Sequence, residues 1–289
     1  MTDASGLHPA GPPSSSGRPQ SLAAGARAIV LARAPSEKVR LAEITAAAWR
    51  ERALSLGSLS SNQGMPDRPG RPERPELKLP RDMPRRTAHG ERGRIALLHS
   101  LAHIEFNAVD MTWDLIGRFA HEPMPRSYFD DWVGVGLDEA QHFALVSARL
   151  AELGAAYGDL PAHDGLWQAA QATGDSLVAR LAVVPLVLEA RGLDVSPAMI
   201  ESLEAAGDTA SAAVLHVIYR DEKRHVACGA RWFRFLAERQ GQAPEPLFHE
   251  LVRRHFRGGV KPPFNESARA EAGLTPGFYK PLVAVGYAP

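Results

Sequence analysis

The amino-acid sequence predicts an all-α protein, and three observations lead to this fold class. Apolar residues recur at three- and four-residue intervals through most of the chain, as in amphipathic helices. The breaks between these stretches are short and contain glycine or proline, as in HEPMP, YGDLP and GLDVSP. Two copies of the pattern D-E-x-x-H, Asp138–His142 and Asp221–His225, lie inside helical stretches. With 289 residues, 45% of them hydrophobic, the chain is long enough for one main domain with extensions.

The first 87 residues are predicted to form a tail, N-terminal helices and an extended strap. Residues 1–19 are rich in Gly, Pro and Ser, which predicts a disordered tail. Residues 20–57 have a helical pattern, and Ser36 is a candidate N-cap. Prolines recur through residues 64–84 and exclude a helix there. The basic residues of this strap either face solvent or clamp a phosphate-bearing substrate: Arg68, Arg71, Arg74, Lys78, Arg81, Arg85 and Arg86.

Residues 88–240 are predicted to form a bundle of four long helices. The helical pattern places them at about 88–120, 126–157, 164–191 and 197–238. Gly192 suits a helix C-terminus and Pro197 a helix start, so the third helix is expected to end between them. The segment SPAMIESLEAAG then forms a short turn of its own. Pro185 predicts a bend in the third helix, which is either a kink or π-bulge that accompanies a functional site or an ordinary kink that wraps the helix around the core.

Residues 241–289 are predicted to form a C-terminal extension that packs on the bundle. The pattern PEPLFHELVRRHF indicates one more helix. Asn265 is expected to cap a final short helix in the segment that follows.

The two D-E-x-x-H motifs carry the chemistry. Residues three apart share one face of a helix, so Glu139 with His142, and Glu222 with His225, each present a carboxylate and an imidazole to a common point. Upstream of each motif, an isolated Glu interrupts an apolar stripe: Glu105 and Glu189. A buried carboxylate without a partner is unfavourable by several kcal/mol or takes up a proton, so each stripe needs a cation or a partner.

The spacing of these residues repeats. Glu105 and Glu139 are 34 residues apart, and Glu189 and Glu222 are 33 apart, which predicts two similar helical hairpins. Four carboxylates and two imidazoles form the ligand set of di-iron and di-manganese carboxylate bundles. Four ionised carboxylates also cancel the charge of two divalent metals. The set contains no sulfur, which disfavours a structural zinc site.

On these residues, the sequence resembles the ferritin-like di-iron carboxylate superfamily over about residues 90–240. The resemblance implies a ferritin-like four-helix bundle and two iron ions, or two manganese ions. It also implies that the six residues above are the metal ligands: Glu105, Glu139, His142, Glu189, Glu222 and His225.

The resemblance extends to the residues beside the ligands and to the C-terminal segment. Asp138 and Asp221 look like the residues that accept a hydrogen bond from a ligating histidine in several di-iron oxygenases. Arg224 matches the D-E-x-R-H form of those oxygenases, whereas Gln141 departs from it. The segment KPPFNESARAEAGLTPGFYKPL is similar to an uncharacterised bacterial branch of ferritin-like proteins, a domain of unknown function. The branch that hydroxylates modified tRNA is a more distant relative.

Four further residues lie near the predicted ligands in the sequence. Tyr219 precedes Glu222 by one turn and is the candidate catalytic residue, because an aromatic side chain beside a di-iron site can carry an electron; a core role is the alternative. His99 and His103 fall on other faces of the helix from Glu105 and are expected to pack or lie at the surface. Cys228 is the single cysteine, so an intramolecular disulfide is excluded, and its side chain is expected to be a buried thiol.

Composition limits the classes of partner. Lys and Arg total 33, as do Asp and Glu, so no global basic excess drives binding to nucleic acid or to anionic membranes. Only the arginines of the strap support a nucleic-acid substrate. No apolar run approaches the length of a membrane span, and the N-terminus lacks the features of a secretion signal, which predicts a cytoplasmic protein.

These observations predict a di-iron oxidoreductase. The expected reaction is the oxygen-dependent hydroxylation or oxidation of a small or tethered organic substrate, with an external electron donor. The alternatives are a ferroxidase or iron-handling protein, a protein like manganese catalase, and a helical interaction protein that has kept its ligands by inheritance. The long extensions on either side of the bundle count against a storage cage.

Overall fold

The computed structural model describes residues 18–59, 64–84 and 86–283, and this part of the chain is helical, with no β-strand. The all-α fold class is therefore confirmed for these residues. Most of the predicted disordered tail, residues 1–17, lies outside the described part, as does Arg85 of the strap. The domain boundaries at residues 87 and 240 stay predictions.

Two short helices form the N-terminal region, α1 (Leu22–Leu31) and α2 (Pro35–Arg50). They pack on the two long helices α3 (Glu91–Arg118) and α4 (Arg126–Glu152). The prediction of Ser36 as an N-cap is wrong. Ala34 occupies that position and Pro35 begins the helix, because a proline at the first helical position has no backbone N–H to leave unpaired.

The strap is extended, as predicted, apart from a 3₁₀ turn at Pro80–Asp82. Its backbone bonds to two other parts of the protein. The Gly70 N–H donates to the Val30 carbonyl at 2.8 Å, and Lys78 N–H donates to the Ala162 carbonyl at 2.8 Å. Only glycine fits at position 70, since a Cβ there would lie 2.1 Å from the Leu31 carbonyl oxygen. The strap is therefore fixed to α1 and to the loop before α5.

The second half of the helical region differs from the prediction. The third predicted helix is divided into α5 (Gly165–Gln171), α6 (Leu177–Val183), a π-helical turn (Val184–Glu189) and α7 (Ala190–Ala205). The fourth helix, α8, is Thr209–Arg239. The bend expected at Pro185 is a π-bulge, and it ends at the predicted ligand Glu189. The Ala190 N–H bonds to the Pro185 carbonyl five residues earlier, as in a π-helix.

The predicted break between Gly192 and Pro197 is wrong. The helix α7 continues through both residues, and the break comes at Gly207 and Asp208. Burial explains the difference, since Leu193, Ile200 and Leu203 pack into the core from this helix and outweigh the one hydrogen bond lost at Pro197. The fourth helix therefore begins at residue 209 rather than 197, and SPAMIESLEAAG is helical rather than a separate turn.

The C-terminal region contains α9 (Pro244–His255), α10 (Glu266–Glu271) and α11 (Pro276–Tyr279), followed by a 3₁₀ turn at Lys280–Leu282. The predicted cap is confirmed, because the Asn265 side chain accepts a hydrogen bond from the Ala268 N–H at 3.1 Å. The helix α9 packs on α6 and α8. Among the described residues, no helix combines the length and the hydropathy needed to span a lipid bilayer.

Two large apolar clusters fill the helical region, one toward each end of the long helices. The first contains Trp113, Trp132 and Phe233, and the second contains Phe106 and Phe143. On α3, α4 and α8 the residues of one cluster give way to those of the other near the middle of the helix. The predicted metal ligands lie at this change-over.

Candidate metal centre

Four of the predicted ligands converge in the interior. Glu105 on α3, Glu139 and His142 on α4, and Glu222 on α8 each offer a ligand atom, and these atoms lie within 4.8 Å of one another. The Nδ1 atom of His142 is 3.5 Å from both Glu105 Oε2 and Glu139 Oε2. All four side chains are buried. The structure thus contains a buried Glu/His cluster that could hold a metal ion.

The two remaining predicted ligands lie beside this group. His225 Nδ1 is 2.9 Å from Glu139 Oε1 and 3.8 Å from Glu222 Oε1. Glu189 is the last residue of the π-helical turn, and its carboxylate acts electrostatically on Glu222. The turn packs closely on α8, because a Cβ at Gly229 would lie 2.5 Å from the Cβ of Pro185. This contact holds the Glu189 segment against the helix that carries Glu222 and His225.

The inward-facing atoms of all six residues lack hydrogen bonds. Eight buried atoms have no hydrogen-bond partner among the described residues: Glu105 Oε2, both carboxylate oxygens of Glu139 and Glu189, Glu222 Oε2, and the Nδ1 atoms of His142 and His225. Buried polar atoms in proteins are normally paired, so this concentration calls for an explanation. Buried oxygen and imidazole donors of this kind fit a divalent metal ion such as iron or manganese.

The outer nitrogen of each histidine bonds to an aspartate of the other motif. His142 Nε2 donates to Asp221 Oδ2 at 3.3 Å, and His225 Nε2 donates to Asp138 Oδ2 at 3.2 Å. With Nε2 bonded to an aspartate, each ring is oriented so that Nδ1 points toward the glutamates, where a metal ion would replace the proton on Nδ1. Arg224 also donates to Asp138, which ties that aspartate to α8. The two motifs therefore orient each other's histidines.

The glutamates of the cluster titrate differently from one another. Burial, reinforced by neighbouring carboxylates, raises the pKa of Glu105 to about 7 and that of Glu189 to about 8. Burial also raises the pKa of Glu222 well above its usual value. Burial acts in the same direction on Glu139, but His225 and His142 outweigh it and lower the pKa of this residue. Glu139 is thus the carboxylate that both histidines hold in its charged form.

The histidines respond to the same charges. Burial alone would lower the pKa of each imidazole. Glu105 and Glu139 overcome that effect and raise the pKa of His142 to about 12. Glu139 and Asp138 raise the pKa of His225 well above its usual value. The cluster thus attracts positive charge strongly.

A cavity of about 930 Å³ opens beside the cluster. Three of the four glutamates, Glu105, Glu189 and Glu222, line it, whereas Glu139 and the histidines are not among its described lining residues. Residues 86–88 at the end of the strap and residues 256–263 before α10 complete the wall. The cavity lies at the upper end of the usual range for ligand sites, about 300–1,000 Å³. A small organic molecule can therefore reach the carboxylate side of the cluster.

Tyr219 is not among the described residues that line this cavity. Its hydroxyl accepts a hydrogen bond from Asn265 Nδ2 at 3.0 Å, and its ring packs between the two apolar clusters. Its catalytic role stays a prediction. His99 accepts hydrogen bonds from the backbone of Gly158 and Leu160, and His103 bonds to the Tyr157 hydroxyl, so both act in packing, as expected.

Two features of the site did not follow from the sequence. The sequence placed an aspartate beside each glutamate, but it did not show that each aspartate bonds to the histidine of the other motif. It also gave no sign that Arg191 and Arg269 contribute to the cavity wall. Arg269 bonds to Asp194, 75 residues away, at 2.7 Å, and no periodic pattern signals such a pair.

Comparison with known proteins gives a family without an assigned activity. The family model described as "Protein of unknown function (DUF455)" matches residues 31–280. A protein of Haemophilus influenzae, named "Uncharacterized protein", is 40% identical over 204 residues, which cover 69% of this chain and 71% of the relative. No solved structure matches the chain significantly.

Proposed function

We propose, from the premise that this chain belongs to the DUF455 family of unknown function, that it is a two-metal carboxylate protein with oxidoreductase activity. One observation carries the proposal: eight buried oxygen and nitrogen atoms, all on the six predicted ligand side chains, have no hydrogen-bond partner among the described residues. In folded proteins, so many buried polar atoms without hydrogen bonds rarely occur in one place. Metal ions supply the missing partners.

The assignment of ligands follows the positions of the side chains. The four glutamates and the Nδ1 atoms of the two histidines hold the metals: Glu105, Glu139, His142, Glu189, Glu222 and His225. Four carboxylates balance the charge of two divalent ions, so the occupied site is neutral overall. Oxygen and imidazole ligands without sulfur favour iron or manganese over structural zinc.

The arrangement of the helices supports a ferritin-like origin. The pair α3 and α4 carries a lone Glu followed by a Glu-x-x-His, and the π-turn with α8 repeats this order. The helices pack as α3 on α4, α7 on α8, and α4 on α8. The exchanged Asp–His bonds relate the two halves in the same way. We therefore interpret the two halves as hairpins of one ferritin-like bundle.

The reaction proposed is the oxygen-dependent hydroxylation or oxidation of an organic substrate, with electrons from an external donor. A pair of bound iron ions supplies the redox chemistry that activates oxygen. The residues of the chain have distinct parts in it. Asp138 and Asp221 hold the histidine protons on Nε2, and the apolar cavity wall gives an organic substrate a surface to pack on next to Glu105, Glu189 and Glu222.

The cavity favours an organic substrate over iron storage. A ferroxidase needs a path for ions, whereas this cavity is large and mostly apolar. The strap arginines give little support to a tRNA substrate, because two of them are engaged within the protein. Arg68 pairs with Asp164, and Arg71 donates to Asn107 and lies 3.7 Å from Asp110. The ligand set suits manganese as well as iron, so a function like that of manganese catalase is the second candidate.

Metal analysis of natively purified protein tests the proposal. We expect about two iron or manganese ions per chain, and an oxo-bridged ferric absorption after oxygen is admitted if iron is the native metal. Glu139→Ala and Glu222→Ala should abolish binding, because each removes a carboxylate from the centre. The exposed Glu201→Ala on α7 is the matched control and should bind normally. A wild-type stoichiometry near zero after reconstitution would refute the proposal.

A further inference from the structure

The cavity beside the glutamates has a mainly apolar wall. Six of its larger side chains come from α3 and from the π-turn: Leu97, Leu101, Ile104, Met111, Val187 and Leu188. Ile104 precedes the ligand Glu105 and is 40% exposed, which is unusual for an isoleucine on a helix that is otherwise deeply buried. A bound apolar group would cover it.

The acidic side chains of the wall leave no site for a cationic ligand. Three of them, Glu105, Glu189 and Glu222, belong to the metal centre. The fourth, Asp194, is buried and accepts two hydrogen bonds of 2.7 Å from the buried guanidinium of Arg269. No other carboxylate is found among the described residues that line the cavity.

Two arginines on the wall retain donors for a ligand. Arg86 is exposed and donates to the Ser100 hydroxyl at 3.1 Å, and no described carboxylate forms an ion pair with it. Arg191 has a side chain 40% exposed, and its Nη1 donates to the carbonyls of Lys261 and Pro263, both at 2.9 Å. Asp194 Oδ2 is 3.4 Å from the same nitrogen. The Nε and Nη2 atoms of Arg191 bond to no described residue. These positioned guanidinium groups favour a carboxylate or a phosphate.

We propose that the cavity binds an amphipathic anion, an elongated apolar molecule with a carboxylate or phosphate head group. The head group pairs with Arg191 or Arg86, and the apolar body lies along Ile104 and the α3 side chains near the metal centre. The inference rests on the proposed function in one respect, since it makes this molecule the substrate presented to the metals. Its binding is measurable without turnover.

The test uses four probes of equal chain length. Decanoate, decyl phosphate, decanol and decyltrimethylammonium are titrated calorimetrically into the full chain, as purified and after reconstitution with manganese. We expect at least one anion to bind at least about tenfold more tightly than decanol, and the cation not to bind. The two anions distinguish a fatty-acid-like ligand from a phosphate ester. Equal affinities for the anions and decanol, or no binding by any probe, would overturn the inference.

Variants then locate the ligand. Arg191→Gln or Arg86→Gln should weaken anion binding about tenfold and leave decanol binding unchanged. Ala198→Phe, at an exposed position on the cavity wall, should weaken binding of both the anion and decanol, because the ring occupies the apolar space. Arg50→Gln, at an exposed position on α2, is the control. Unchanged anion binding in both arginine variants, or unchanged binding in Ala198→Phe, would contradict the assignment.

The two proposals fail in different ways. Anion binding by protein that takes up no metal would refute the metal centre and leave the ligand class standing. Normal metal uptake with no binding of any probe would overturn only the ligand class.

Discussion

The interior holds two kinds of buried charged group. The groups of one kind are hydrogen-bonded within the protein, and those of the other kind are not. At the interface of α3 with α6, Arg180 donates to Asp114 at 2.7 Å, to Thr173 at 2.9 Å and to the Ala170 carbonyl at 2.7 Å. Where α2 meets α1 and α3, Lys38 donates to Asp110 at 2.5 Å and to two backbone carbonyls of α1. In the Glu/His cluster, by contrast, eight atoms have no hydrogen-bond partner among the described residues.

The difference separates structural charges from charges that await a ligand. A buried ion pair that joins helices is acceptable to the fold because its hydrogen bonds are nearly complete. A buried cluster without such bonds is unfavourable unless an external cation completes it. Both kinds of site lie in helices of the same region, so the contrast reflects their roles rather than their surroundings.

The largest effect is expected where a paired charge loses its partner. Arg180→Met leaves Asp114 buried with only Arg118 beside it and should lower the free energy of unfolding by about 3–5 kcal/mol. Urea denaturation measures the loss. Arg254→Met removes an exposed ion pair with Glu250 and should change stability by no more than about 1 kcal/mol. Similar losses in the two variants would remove the distinction between buried and exposed pairs.

Metal should stabilise the cluster but not the paired charges. At a free metal concentration one hundred times the dissociation constant, the wild type should gain about 2.7 kcal/mol of unfolding free energy. Thermal denaturation before and after chelation measures this gain. Arg180→Met should show the same metal-dependent increment, because its defect lies elsewhere. Full thermal stability after exhaustive chelation would instead favour a helical interaction protein that has kept its ligands.

A smaller effect is expected from the aspartates behind the histidines. Asp138→Asn and Asp221→Asn each keep the shape of the side chain but replace the charged acceptor of a histidine N–H. Metal affinity should fall about 10–100-fold, measured by competition with a chelator of known affinity. Asp175→Asn, at an exposed position, is the matched control. Unaltered affinity in both variants would show that these bonds do not orient the ligands.

The smallest effect is expected from neutralising a cluster carboxylate in metal-free protein. Glu222→Gln keeps the size of the side chain and removes a carboxyl group whose Oε2 has no hydrogen-bond partner among the described residues. Metal-free stability should change by no more than about 1 kcal/mol, whereas the loss of metal binding should be large. Denaturant unfolding in the presence of chelator gives the first value. A loss as large as that in Arg180→Met would mean that Glu222 is structurally paired.

The sequence predicted the contents of the candidate site better than its connections. Glu105, Glu139, His142 and Glu222 could be found because helical periodicity and the D-E-x-x-H spacing are local properties of the chain. The bonds from Asp138 to His225 and from Asp221 to His142 span more than seventy residues. They depend on which helices become neighbours, and a single sequence does not state that.

The ends of the helices show the same difference between local and long-range determinants. Asn265 was recognised as a cap because capping involves residues only three apart. The end of α7 was misplaced because Gly192 and Pro197 are helix-breaking by local preference, while the burial of Leu193 and Leu203 keeps the helix intact. Local preference fails where tertiary packing opposes it.

The π-helical turn makes the position of Glu189 depend on chain length. A π-turn contains one residue more than the α-helical turn it replaces, and one residue corresponds to about 100° of rotation around a helix axis. Deleting a single residue between Val184 and Leu188 would restore a regular helix and swing either Glu189 or the whole of α6 out of phase with its neighbours. At this point the number of residues matters as much as their identity.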